Sequence, residues 1–145
     1  MSNGLYVPNQ VEAALGGKLM SGFTEGDFIT VEFAADDYEE KVGAQGDVAL
    51  TRIHNPLATV TMRFQQHSPT NDDLSALRDS GMEATAAGFA SSFSLRDSSG
   101  TSIVQGTAWV RKRPTMAFGT SGGTREWVLG VIVADVNVGG NTRFA

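Results

Sequence analysis

Hydrophobic and polar residues alternate most cleanly between Thr59 and Gln65, where Val60, Met62 and Phe64 are interleaved with Thr59, Thr61, Arg63 and Gln65. A period of two puts the apolar set on one face of a strand and the polar set on the other. The pattern then changes at once. Ser68-Pro69-Thr70-Asn71-Asp72-Asp73 carries two alternative helix-start signals, Ser68 capping with Pro69 at the first helical position or Thr70 capping with Asp73 three residues on. Both place carboxylates at the positive end of the helix dipole. Leu74 and Leu77 share one face of the helix that follows, expected over residues 71–80, and Gly81 is expected to stop it.

The remaining segments have the rhythm of strands and turns. Val11 to Leu15, the pair Gly16-Gly17, and Lys18 to Met20 predict a tight hairpin, since two glycines supply the positive φ angles its turn requires. Ile29, Val31 and Phe33 alternate with Thr30 and Glu32 in a further strand. The alternation then gives way to Asp36-Asp37-Tyr38-Glu39-Glu40-Lys41-Val42-Gly43-Ala44-Gln45-Gly46-Asp47, read as a long acidic loop. Connections in compact domains are typically about 4–6 residues, so a loop of this length calls for a functional explanation, with a mobile surface loop as the plain alternative. Val48 to Arg52 is another strand, and Asn55-Pro56 breaks the chain ahead of Thr59. Residues 84–90 are small and carry no assignable pattern. Phe93 and Leu95 alternate with Ser94 and Arg96, Asp97-Ser98-Ser99-Gly100 turns, and residues 101–111 return as the partner strand, ended by Pro114. After the glycine-rich loop at 119–124, Glu126 to Val136 forms a long strand whose early part is apolar on both faces, as in a strand covered on both sides. Residues 1–9 and 139–145 are expected to be arms outside the last strands.

Composition narrows the class. A chain of 145 residues with 17 glycines, 41% hydrophobic and 19% charged residues suits one turn-rich domain, expected to span residues 1–145. Cysteine is absent, which excludes disulfides and thiolate metal sites. No run approaches the roughly 18 apolar residues of a membrane helix, and the N-terminal residues lack a leader pattern, so no membrane association is expected. The net charge of −5 opposes general binding to a phosphate backbone. Arg111-Lys112-Arg113 is the one basic cluster, and it lacks the interleaved aromatics that stack on bases.

Catalytic chemistry has no evident carrier. His54 and His67 are isolated, the carboxylates at 36–40 lack the alternating oxygen ligands of a calcium loop, and the glycines at 119–123 precede no lysine or helix start. Trp109 and Trp127 are expected to serve packing, with ligand stacking as the alternative. The expectation is a non-enzymatic protein with no cofactor, metal or catalytic residue.

Several segments, taken in order, resemble a known family. They are Val42 to Val48, Ser68 to Asp72, Ala108 to Pro114 with Phe118-Gly119, Arg125-Glu126-Trp127, and Val138-Gly139-Gly140-Asn141. Together they resemble the tail tube proteins of contractile-tailed bacteriophages. The resemblance implies a mainly β fold, a two-sheet β-sandwich or half-open barrel with one flanking α-helix. It implies hexameric rings that stack into the inner tail tube of a virion, assembled in the host cytoplasm. It implies sheath, baseplate and tail terminator proteins as partners, and DNA that passes through without specific binding. The tube of a tailocin or secretion machine is an alternative within this class; a small ligand-binding β-barrel is an alternative outside it.

On that footing the residues receive provisional places. Residues 36–47, named above, form a candidate inter-ring loop. Polar strand faces are candidates for the bore, with Thr30 and Glu32 in one row and Thr59, Thr61, Arg63 and Gln65 in another. Arg111, Lys112 and Arg113 are expected to face the sheath. An acidic ring would let DNA slide, because a basic wall would hold phosphates through counterion release.

Overall fold

The computed structural model describes residues 4–83 and 90–141. Its strands are β1 (Val11–Leu15), β2 (Lys18–Leu19), β3 (Ile29–Phe33), β4 (Tyr38–Val42), β5 (Val48–Arg52), β6 (Leu57–Gln65), β7 (Ser91–Asp97), β8 (Ile103–Lys112) and β9 (Thr124–Asn137), with a helix, α1 (Thr70–Glu83), between β6 and β7. Seven strands form one antiparallel sheet in the order β2-β1-β7-β8-β9-β6-β3, while β4 and β5 pair only with each other. The expected β-rich body with a single flanking helix is what the chain forms. The second sheet is not a sandwich layer; it is the small β4–β5 hairpin, and the large sheet curls into a half-open barrel.

The alternation in β6 becomes burial. Ala58, Val60, Met62 and Phe64 are buried, and all but Ala58 join Trp127, Leu129 and Val131 of β9, Phe93 of β7, and Ala13 and Leu15 of β1 in one core. Curling brings the two halves of the sheet together: Val11 and Leu95 line the same cavity of about 250 Å³ as Ile29 and Val31 of the opposite edge strand. The segment after β2 spans the gap. Met20 N–H donates to Ala13 at 2.9 Å, and two residues on the Gly22 carbonyl accepts from Gln65 N–H at 2.7 Å, so the chain steps from β1 to β6.

Gly16 and Gly17 have φ of 62° and 83°, the left-handed pair that closes the β1–β2 hairpin as expected. At α1 the first capping alternative is realised. Ser68 Oγ accepts from Thr70 N–H at 3.3 Å, and Thr70 Oγ1 is occupied elsewhere, accepting from Ser21 N–H at 3.0 Å. Leu74 is buried in the core, with Leu77 half-buried beside it. The helix does not stop at Gly81 but runs to Glu83. A glycine inside a helix costs only about 1 kcal/mol relative to alanine and imposes no end by itself. Residues 84–89, within the stretch left unassigned in the sequence, lie outside the described residues.

The long acidic loop is also corrected. Residues 38–42 are extended and pair in register with 48–52, from Tyr38 opposite Arg52 to Val42 opposite Val48. Only Gly43 to Asp47 make the turn, closed by a 2.7 Å bond from Gly43 N–H to the Asp47 carbonyl.

The described parts of the two arms are tied down rather than free. Leu5 N–H donates to the Asn141 carbonyl at 3.0 Å, and Asn141 Nδ2 donates to Asp97 Oδ2 at 2.8 Å. Both arms thereby close over the turn between β7 and β8.

Candidate assembly surfaces

Three surfaces carry the residues singled out in the sequence: the β4–β5 hairpin, the polar face of the sheet, and the groove beside α1.

Residues directly opposite in an antiparallel pair share a face. The β4–β5 register therefore puts Tyr38, Glu40, Val42, Val48, Leu50 and Arg52 on one face, and Glu39, Lys41, Ala49 and Thr51 on the other. The first face is apolar, yet Val42, Val48 and Leu50 are 71, 60 and 65% exposed. Every residue of both strands is exposed. A two-stranded hairpin with neither face covered is marginal in water. The Arg52 guanidinium lies 5.8 Å from the Tyr38 ring centroid, a cation–π contact within the hairpin. The residues proposed to leave the sheet, Asp36 to Asp47, thus include β4 and the tip of this hairpin.

On the sheet, Thr30 and Glu32 of β3 stand opposite Thr61 and Thr59 of β6. The two rows of bore candidates are one continuous surface on the face away from the core. Arg63 reaches across to Glu126 of β9, Nε to Oε2 at 3.1 Å, so its charge is balanced within that surface. The same surface holds Arg111, whose Nη1 donates to Thr59 Oγ1 at 2.7 Å. The expected division, Thr59 to the bore and Arg111 to the sheath, does not fit this bond: the two residues share one face. The physical cause is a bulge in β8 between Val110 and Lys112, which frees Arg111 from pairing with β9 and lets it lean over β6. Between them, a Cβ on Gly130 would lie 2.6 Å from Cε2 of Trp109, so the glycine lets the indole lie flat on β9.

Trp127 points the other way. It is buried, and its Nε1 donates to Asn71 Oδ1 at 2.9 Å. Asn71 Nδ2 in turn donates to the carbonyls of Gln65 and Ser68, both at 3.1 Å. Both tryptophans pack within the protomer, as expected. Beside this junction, α1 and the segment from β8 to Met116 enclose a groove of about 1040 Å³. Its apolar lining includes Leu77, Met82, Val110 and Met116, and it is bordered by Arg78, Arg113 and Arg125. Arg125 is 8% exposed. Its contacts are the Ala117 carbonyl at 3.4 Å and the Phe118 ring, whose centroid is 5.3 Å from its guanidinium carbon. Among the described residues, no carboxylate pairs with it.

Sequence reasoning missed the parts played by Ser21 and Asn71. The Ser21 carbonyl accepts from Ser68 Oγ at 2.5 Å and Thr70 Oγ1 at 3.1 Å, locking the start of α1 to the segment that spans the sheet edges. A serine in a connector carries no signal of this. Asn71 following a helix-start motif was visible, but its tryptophan partner is 56 residues away. His54 and His67 are both exposed, and no group of three or more potential metal ligands occurs among the described residues.

The chain and its fold have relatives among known proteins. Structural protein ORF10 of Pseudomonas phage KPP10 is 32% identical over 147 aligned positions, covering 95% of this chain and 84% of that protein. Among solved structures, the fold is similar to the anti-feeding prophage cap, the AFP tube terminating cap (TM-score 0.57, 11% identity, 90% of this chain and 89% of that one). It is also similar to a chain of the PVC sheath–tube complex of an extracellular contractile injection system in its extended state (TM-score 0.56, 11% identity, 92% and 90%). The sheath/tube terminator of that system gives a TM-score of 0.58 at 13% identity, over 93% of this chain and 96% of that one. The model of the bacteriophage PhiTE tail tube protein family matches residues 10–139. The chain belongs to that family.

Proposed function

We propose that the protein is the repeating subunit of the inner tube of a contractile phage tail, with hexameric rings stacked into a conduit through which DNA leaves the virion. One observation carries the step from family membership to assembly: the β4–β5 hairpin holds Val42, Val48 and Leu50 exposed on one face, with nothing among the described residues to cover them. Such a segment stabilises a protomer poorly and an interface well. In this proposal it docks on the adjacent ring.

The polar face holding Thr30, Glu32, Thr59, Thr61, Arg63 and Gln65 lines the bore, and Arg111 goes with it because of its bond to Thr59. The pairing of Arg63 with Glu126 supports this assignment, since a balanced wall offers phosphates no run of free cations. The side of the protomer away from that face then meets the sheath, with sheath, baseplate and terminator proteins as partners.

Negative-stain microscopy of the purified protein is the test. Rings with six-fold symmetry and stacked tubes are expected, whereas a stable monomer that binds a small molecule would refute the proposal. The 32% identity to a phage structural protein favours a virion over an injection machine that carries no genome.

A further inference from the structure

The hairpin and the groove beside α1 are complementary in overall charge, in the pair at their centres and in size. The first is charge. Residues 36–52 hold five carboxylates, Asp36, Asp37, Glu39, Glu40 and Asp47, against Lys41 and Arg52. The groove lining holds Lys112, Arg113 and Arg125, and Arg78 paired with Asp79, against Asp72 alone, while Arg111 turns its guanidinium to Thr59 on the other face. The second is chemistry at the centre. Glu40 sits within the apolar hairpin face, opposite Leu50, while Arg125 is a buried guanidinium without a carboxylate partner among the described residues. A guanidinium taken out of water without a counter-ion is costly, and Glu40, exposed on the hairpin, offers the carboxylate that Arg125 lacks. The third is size. Strands of five residues span about 17 Å. The 14-residue helix along the groove is about 21 Å long.

We infer that the groove between α1 and the segment following β8 is the socket for the β4–β5 hairpin of a second copy of this chain, with Glu40 directed at Arg113 and Arg125. The inference rests on the tube assignment and names the receiving surface within it. Plug and socket lie on different surfaces of one protomer, so the contact is head-to-tail and repeats without limit unless rotation closes it. Between rings, it propagates growth along the tube.

The absence of native cysteine makes the test direct. Leu50→Cys on the hairpin and Met82→Cys in the groove, both at exposed positions, are combined in one chain and treated with a short bis-maleimide under assembly conditions. Covalent multimers extending beyond six chains are expected, with neither single variant giving more than dimers. Glu40→Arg and Arg113→Glu, placed separately in the double-cysteine chain, should each lower the yield of multimers about tenfold, and together should restore it. Thermal melts confirm that each variant is folded; both residues are exposed, so neither should disturb the protomer. Tubes without multimers would overturn the socket and leave the tube assignment standing. Multimers in a sample without tubes would do the reverse. A series ending at six chains would place the contact within a ring and refute its role between rings. Failure of the double reversal to recover the yield would overturn the pairing of Glu40 with these arginines.

Discussion

Asn71 joins α1 to the sheet through Trp127: its side-chain oxygen accepts the indole N–H at 2.9 Å, and its nitrogen reaches the carbonyls of Gln65, Gln66 and Ser68 between the end of β6 and the start of the helix. One side chain thus satisfies a buried aromatic donor and fixes the entry of the helix. Asn71→Ala leaves the indole N–H of a buried ring unpaired, and a stability loss of about 1–3 kcal/mol is expected. Asn71→Asp keeps the acceptor and loses the donor, so it should fall between wild type and alanine. Urea unfolding followed by tryptophan fluorescence checks the order.

The two leucines of α1 should respond differently. Leu74 is fully enclosed, and Leu74→Ala should cost about 2–5 kcal/mol. Leu77 is half-buried and borders the groove, so Leu77→Ala should cost less, about 1 kcal/mol, in the protomer. If Leu77→Ala proves as damaging as Leu74→Ala in unfolding measurements, the groove is more closed than described.

Gly130 admits no side chain without displacing Trp109. Gly130→Ala should destabilise by about 1–3 kcal/mol and shift the tryptophan emission to longer wavelength as the indole lifts into water. Unchanged emission with unchanged stability would mean that the ring does not rest on β9.

Removing residues 39–46 takes away most of the hairpin and nothing from the core. The shortened protein should melt within a few degrees of wild type and fail to grow tubes, as measured by sedimentation and electron microscopy. Tube growth by the deletion variant would remove the hairpin from the stacking contact.

If the Thr59 face lines the bore, its weak interaction with DNA rests on a few carboxylates. Replacing Glu32 and Glu126 by Lys should turn an indifferent wall into one that retains duplex DNA, with binding that falls steeply as salt rises. Gel retardation of assembled tubes across a salt series measures this. Equal indifference in wild type and variant would take the face out of the lumen.

What could be read from the sequence was whatever had one buried and one wet face. β6 showed its core residues directly, and the Gly16-Gly17 turn marked a hairpin that the register confirms. β4 was read as loop because its face holding Tyr38 and Val42 is interrupted by Glu40, so that three charged residues, Glu39 to Lys41, stand in a row. The signal lay in symmetry about the turn, where Val42 and Glu40 find Val48 and Leu50 as mirror partners. A strand exposed on both faces breaks the link between periodicity and burial in its own chain. The shared face of Arg111 and Thr59 was hidden for a different reason. It depends on a bulge, and one extra residue in β8 reassigns side-chain direction in a way that alternation cannot reveal.

The position of β9 bears on how the protein is made. It is the last of the described strands, yet it lies between β8 and β6, which flank it in the sheet. Until residues 124–137 leave the ribosome, β6 and β8 each present an open edge, and Met62 and Phe64 have no Trp127 or Leu129 to rest against. The barrel therefore closes only once residues 124–137 have been made. A chain truncated before residue 124 is a sticky fragment with two open strand edges instead of a smaller folded protein. The topology thus works as a checkpoint on the arrival of β9, without which neither half of the sheet is closed.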